Sequence, residues 1–213
     1  VPYRQEGNGS MVCQNVRTSM SLIHRPVFLM LGALVCMMGV GRAGWAGEVY
    51  TKFNIHVQDK VDKAGNHQYN ASCANWTDPG AGHIFIPVNT AIEIVKADPK
   101  EITFKVKSDD RLVHLGYNIK WMMGMDVNKY VELITSTTPV SLDALSEADR
   151  KGIKDGIASV GMTKAGVMAA LGYPAAHRTP SPETATVWVY WTNRFKSIAV
   201  EFDDQGQVKT ITR

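Results

Sequence analysis

The stretch Gly161-Met162-Thr163-Lys164-Ala165-Gly166-Val167-Met168-Ala169-Ala170-Leu171-Gly172-Tyr173-Pro174 carries a complete set of start and stop signals for one short helix. Thr163 is placed as the N-cap, its hydroxyl oxygen accepting from a backbone N–H of the first turn, with Met162 and Val167 positioned as a hydrophobic staple across it. Gly172 takes a left-handed conformation without a Cβ clash, and Pro174 lacks the N–H needed to continue. The signals predict a helix of about two turns over 164–171. Gly166 inside it is a weak point, since glycine costs a helix about 1 kcal/mol relative to alanine.

Downstream lie a Pro/Ser/Thr loop, the apolar run Val187-Trp188-Val189-Tyr190-Trp191, a strand from Ile198 to Phe202, the turn Asp203-Asp204-Gln205-Gly206 and a last strand, Val208 to Thr212. Upstream, Ser146-Glu147-Ala148-Asp149 reads as a capped helix start, with acidic residues at the positive helix end. Ile153, Ile157 and Val160 continue it as one apolar stripe, and Gly152 and Gly156 make it dependent on packing. Residues 146–213 therefore read as α-α-β-β-β, two helices on a three-stranded antiparallel sheet.

Gly-Met-Thr, then Val167, Leu171-Gly172, Pro174 and the Trp188-x-Tyr190 pair form a pattern similar to that of the SmpA/OmlA (BamE-like) family of small bacterial envelope proteins. The resemblance covers Ser146 to Arg213. It implies a non-enzymatic protein of the cell envelope that binds another protein, in outer-membrane assembly or envelope maintenance. The same layout also resembles the β-lactamase inhibitor protein fold, which implies an alternative: a periplasmic inhibitor or ligand-binding module.

Residues 47–134 have a different texture. Val49, Thr51, Phe53, Ile55 and Val57 alternate onto one face, as in a half-buried strand, and Asp59 to Asn66 forms a charged loop or hairpin turn. Further short strands follow around His67 to Trp76, His83 to Ile86, Ala91 to Val95, Glu101 to Lys107 and Leu112 to Leu115, broken by turns at Asp78-Pro79-Gly80 and Asp98-Pro99. These imply a small antiparallel β barrel or sandwich, and the run Ile86-Pro87-Val88-Asn89-Thr90-Ala91-Ile92-Glu93-Ile94 resembles the turn before a central strand in bacterial SH3-like barrels. The fold class expected is α+β, with residues 135–145, polar and proline-containing, as a linker between two domains.

Residues 1–46 are set apart as an upstream tail and signal peptide. Arg17 and Arg25 precede an uncharged run of 15 residues, 27–41, shorter than the ~20 a membrane-spanning helix needs. Gly44 and Ala46 suit cleavage after Ala46. Val35 before Cys36 is too bulky for a lipid-attachment site. The expectation is export to the periplasm, with outer-membrane association peripheral at most. Removing 1–46 takes four of the 23 basic residues and one of the 20 acidic ones, leaving 19 of each. The balanced charge gives no argument for nucleic acid as partner.

No chemistry-bearing constellation stands out. The histidines lack paired metal-ligand spacing and there is no C-x-x-C, so no metal, cofactor or catalytic set is expected. Cys73, the single cysteine after residue 46, reads as a buried apolar residue, and Met122-Met123-Gly124-Met125 reads as core filler. The aromatic group Trp188, Tyr190, Trp191 and Phe195 is the candidate protein-binding surface, Trp188 and Tyr190 sharing one strand face and Trp191 the other.

Overall fold

The alternating face at the start of the chain is buried throughout, yet it belongs to two strands. In the computed structural model, which describes residues 47–213, β1 (Val49–Thr51) and β2 (Ile55–Val61) are separated by a break at Lys52 to Asn54. The cause is Asn54. Its backbone N–H donates to the Ala169 carbonyl at 2.8 Å, its Nδ2 donates to Ile153 O at 2.7 Å, and its Oδ1 accepts from Val88 N at 2.9 Å. The chain there bonds to the C-terminal half instead of to a neighbouring strand.

β3 (His67–Ser72), β4 (His83–Ile86), β5 (Ala91–Asp98), β6 (Glu101–Val106), β7 (Leu112–Gly116) and β8 (Thr135–Ser136) complete a curled sheet in the order β4-β2-β3-β7-β6-β5-β1-β8. Its neighbours are antiparallel except β3 and β7, which run parallel, so the expected all-antiparallel barrel or sandwich is replaced by one mixed half-barrel. The concave core holds Ile55, Val57, Ile86, Ile92, Ile102, Phe104, Val113 and Leu115.

Helix α1 (Val127–Ile134) also packs into that core, in a stretch read from sequence as continuing the strands. Asp126 caps it by accepting from Asn128 N and Lys129 N, and Tyr130 and Ile134, one turn apart, are buried. The segment expected as a linker is structured. Thr135–Ser136 pairs with β1, and Asn89 clamps Val140 from both sides, donating to its carbonyl at 2.9 Å and accepting its N–H at 2.7 Å.

α2 (Glu147–Asp155) and α3 (Lys164–Leu171) cover one face of a three-stranded antiparallel sheet, β9 (Val187–Trp191), β10 (Ser197–Phe202) and β11 (Val208–Thr212), in the order β11-β10-β9. Thr163 caps α3 as expected, its hydroxyl accepting from Gly166 N at 3.1 Å. α2 stops earlier than its apolar stripe suggested: Gly156, at φ 67°, is its left-handed cap, Ile153 is buried, and Ile157 and Val160 are exposed.

The two cores meet along a seam inside one compact unit. Gly172 sits on it with positive φ, where a Cβ would come within 2.3 Å of Asn75 Nδ2 and 2.9 Å of the Phe53 ring. Among the described residues no helix is long and apolar enough to cross a membrane. The expected signal segment and its cleavage point lie outside the described residues.

Candidate functional site

Strand alternation divides the predicted aromatic surface. Trp188 and Tyr190 point into the core beneath the helices and are 2 % and 0 % exposed. Their polar tips are satisfied internally, Trp188 Nε1 donating to Pro182 O at 2.8 Å and Tyr190 Oη donating to Gly172 O at 3.0 Å. Trp188 also packs edge-on against Phe202 with ring centroids 4.8 Å apart. These two residues are therefore interior, and only Trp191 and Phe195 of the predicted set reach the surface.

Trp191 ends β9 and is half-buried against segments from both halves of the protein. Thr77 N donates to Trp191 O and Asp78 N to Thr192 O, each at 2.9 Å, which docks the 73–78 loop beside the strand end. Asn75 holds that loop from behind, in a left-handed conformation with φ 55°, its side chain donating to Leu171 O. Trp121 comes from a tight turn closed by Gly124 N donating to Ile119 O at 2.9 Å, with positive φ at Met123 and Gly124. His177 then clamps Trp121: its backbone N–H and its Nδ1–H both donate to the Trp121 carbonyl, at 2.9 and 3.1 Å.

The result is an open pocket of about 530 Å³ lined by Ala74, Trp76, Trp121, His177, Trp191 and Arg194. His177 stacks on Trp191 at 20° between ring planes, and the Arg178 guanidinium lies 5.7 Å from the centroid of the same indole. No buried polar side-chain atom among the described residues lacks a partner. The indole nitrogens of Trp76 and Trp191, which have no acceptor among the described residues, must therefore reach solvent. Phe195, beside Arg194 in the hairpin turn, is 84 % exposed. Trp76, Trp121, His177 and Arg194 were not singled out from sequence, because each is an isolated residue in its own loop until the seam brings them together.

A second, larger cleft of about 850 Å³ is lined by Asp78, His83, Asp155, Lys196 and Arg213 among others. Behind it lies a histidine pair that sequence spacing concealed, brought together by the pairing of β2 with β4. His56 Nε2 lies 3.0 Å from Ala170 O, and a carbonyl only accepts, so Nε2 carries the proton. His56 Nδ1 is then an acceptor, and the 2.9 Å contact with His83 Nε2 requires His83 to donate. Burial is the main cause of the fall in His56 pKa to about 4, with the Ala170 carbonyl opposing it. Among the described residues no group of three or more His, Cys, Asp or Glu side chains is arranged to hold a metal ion.

Cys73 is fully buried as expected, and burial lifts its thiol to about 11 despite the Asn118 N–H donating to Sγ at 3.3 Å. A thiol so held is a poor nucleophile. Iodoacetamide at pH 8 is expected to leave it unmodified in the folded protein and to alkylate it in denaturant, as read by intact mass. Modification of the folded protein at the rate of a free thiol would contradict this. Of the methionine run, Met122 is core and Met123 is exposed. Compared with protein-family models, with curated proteins and with solved structures, the chain matches none.

Proposed function

We propose that this chain is a non-catalytic binding protein of the bacterial envelope, exported to the periplasm, which engages another protein through the tryptophan pocket at its seam. The observation that carries the reading is the convergence of three indoles, two from separate loops and one from the end of β9, on one open, pre-braced pocket. Rigid aromatic side chains in a preformed pocket lose little entropy on binding and are the usual anchors of protein interfaces. On this reading the C-terminal half is a SmpA/OmlA-like domain and the N-terminal half an enlarged relative of an SH3-like barrel. A role in outer-membrane assembly or envelope maintenance goes with that resemblance.

The test is crosslinking in intact cells and affinity purification of the tagged protein, comparing wild type with Trp121→Ala and Trp191→Ala. Thermal melts run alongside keep loss of folding apart from loss of contact. The expected result is an envelope protein recovered with wild type and reduced at least about tenfold in both variants, the scale of a hot-spot truncation. Undiminished recovery of the same partner from both folded variants would sink the reading. A soluble enzyme recovered as a stable 1:1 complex would instead favour an inhibitor module.

A further inference from the structure

We infer that the tryptophan pocket receives an aromatic side chain of a partner protein segment that carries carboxylates next to that side chain. This rests on the protein-binding role just proposed and names what the site selects.

Charge carries the argument. The usual guests of an aromatic cage are cations, drawn by the negative faces of the rings. Here the cationic places are already taken: Arg194 lines the pocket and Arg178 lies over Trp191. No carboxylate is among the lining residues, and neither arginine takes part in an ion pair among the described residues. A lysine or quaternary ammonium guest would meet Arg194 in the lining and Arg178 over the Trp191 indole, whereas a carboxylate-bearing guest would find neither in an ion pair among the described residues.

The polar inventory points the same way. The indole N–H groups of Trp76 and Trp191 have no acceptor among the described residues, and Arg194, a lining residue, adds further donors. Against these donors the lining side chains offer one ring acceptor, His177 Nε2, so the site favours a guest that brings acceptors, which carboxylates and backbone carbonyls supply. A volume of about 530 Å³ exceeds one side chain and leaves room for the flanking backbone. Phe195, next in sequence to the lining residue Arg194, is exposed and offers further apolar surface.

The experiment titrates the full chain with four blocked pentapeptides, Ser-Asp-Phe-Asp-Ser, Ser-Asn-Phe-Asn-Ser, Ser-Lys-Phe-Lys-Ser and Ser-Asp-Ala-Asp-Ser, following indole N–H signals by NMR. The aspartate–phenylalanine peptide is expected to bind about fivefold more tightly than its asparagine twin, the scale of exposed charge pairs. That advantage should shrink as salt rises from about 0.05 to 0.5 M. The lysine and alanine peptides should not bind measurably. Arg194→Gln should level the aspartate and asparagine peptides, and Trp121→Ala should abolish binding of both.

Equal binding of the aspartate, asparagine and lysine peptides, all dependent on Trp121, would overturn the carboxylate preference while leaving the protein-binding role standing. Absence of binding by every phenylalanine peptide would overturn the inference, and the cell crosslinking result would then decide the role separately. If 3-phenylpropanoate alone bound as tightly as the best peptide, the occupant would be a small aromatic acid, and the partner segment would be ruled out.

Discussion

Asp149→Ala is expected to lower the free energy of unfolding by about 3 kcal/mol, the combined scale of a lost cap and lost hydrogen bonds to a charged group. Asp149 is fully buried, and its carboxylate joins the starts of both C-terminal helices. One oxygen accepts from Thr163 N at 2.7 Å; the other accepts from Ser146 N at 3.0 Å, Ser146 Oγ at 2.9 Å and Thr163 Oγ1 at 3.1 Å. It therefore closes the capping box of α2 and supplies a negative group at the positive end of α3, which has no acidic residue in its own first turn. Alanine would take from the Ser146 and Thr163 N–H groups the charged acceptor that they share.

Gly166 completes this arrangement, and its role reverses the expectation from helix propensity. A Cβ at Gly166 would lie 1.9 Å from Asp149 Oδ1 and 2.7 Å from its Cβ. Gly166→Ala is therefore expected to destabilise by about 2 kcal/mol through overpacking, despite the roughly 1 kcal/mol helix preference of alanine. In the Asp149→Ala background the carboxylate contacts are gone and only the 2.7 Å approach to the Cβ of residue 149 remains, so the same substitution should cost clearly less. Urea denaturation of the two single variants and the double variant measures the coupling. Additive losses, or a loss below about 1 kcal/mol for Asp149→Ala, would refute the joint role.

What was legible in the sequence was local. Thr163, Gly172 and Pro174 mark the α3 boundaries found, and the alternation in Val187 to Trp191 predicts the strand found there. These signals need no distant partner. The break at Asn54 was not legible, because the acceptors and donors that bend the chain belong to residues 88, 153 and 169. Helix α1 was hidden in a stretch whose Val127, Val131 and Ile134 suit strand or helix, although Asp126 before it was an available capping signal. The parallel pairing of β3 with β7 depends on chain paths that a strand list does not contain. Of the candidate site, Trp191 and Phe195 were visible as surface aromatics, while the outer pocket wall comes from loops separated by dozens of residues. Trp188 and Tyr190 share Trp191's strand, and the period of two that made them conspicuous also turns them inward.

The second large effect is on acid stability, through the buried His56. In the unfolded chain its imidazole titrates near 6.5, and in the folded protein near 4, chiefly because burial disfavours the charged ring. Between those values the unfolded state holds more protons than the folded one, so stability is full above about 6.5 and falls as pH drops towards 4. The maximum contribution is about 3 kcal/mol, from 1.36 kcal/mol for each pKa unit. Structure gives the same sign. With Nε2–H fixed on the Ala170 carbonyl, a proton added at Nδ1 would face the donating Nε2–H of His83. His83 is also lowered by burial, with Asp78 opposing, so it adds to the loss in the same direction. Asp98, held down to about 2 first by its hydrogen bond with Lys96, releases its contribution only at lower pH and leaves this window to the histidines. His56→Gln is expected to lower stability at pH 7 and to flatten most of the slope between pH 6.5 and 4.5, measured by urea denaturation at each pH. An unchanged slope in that variant would place the acid sensitivity elsewhere.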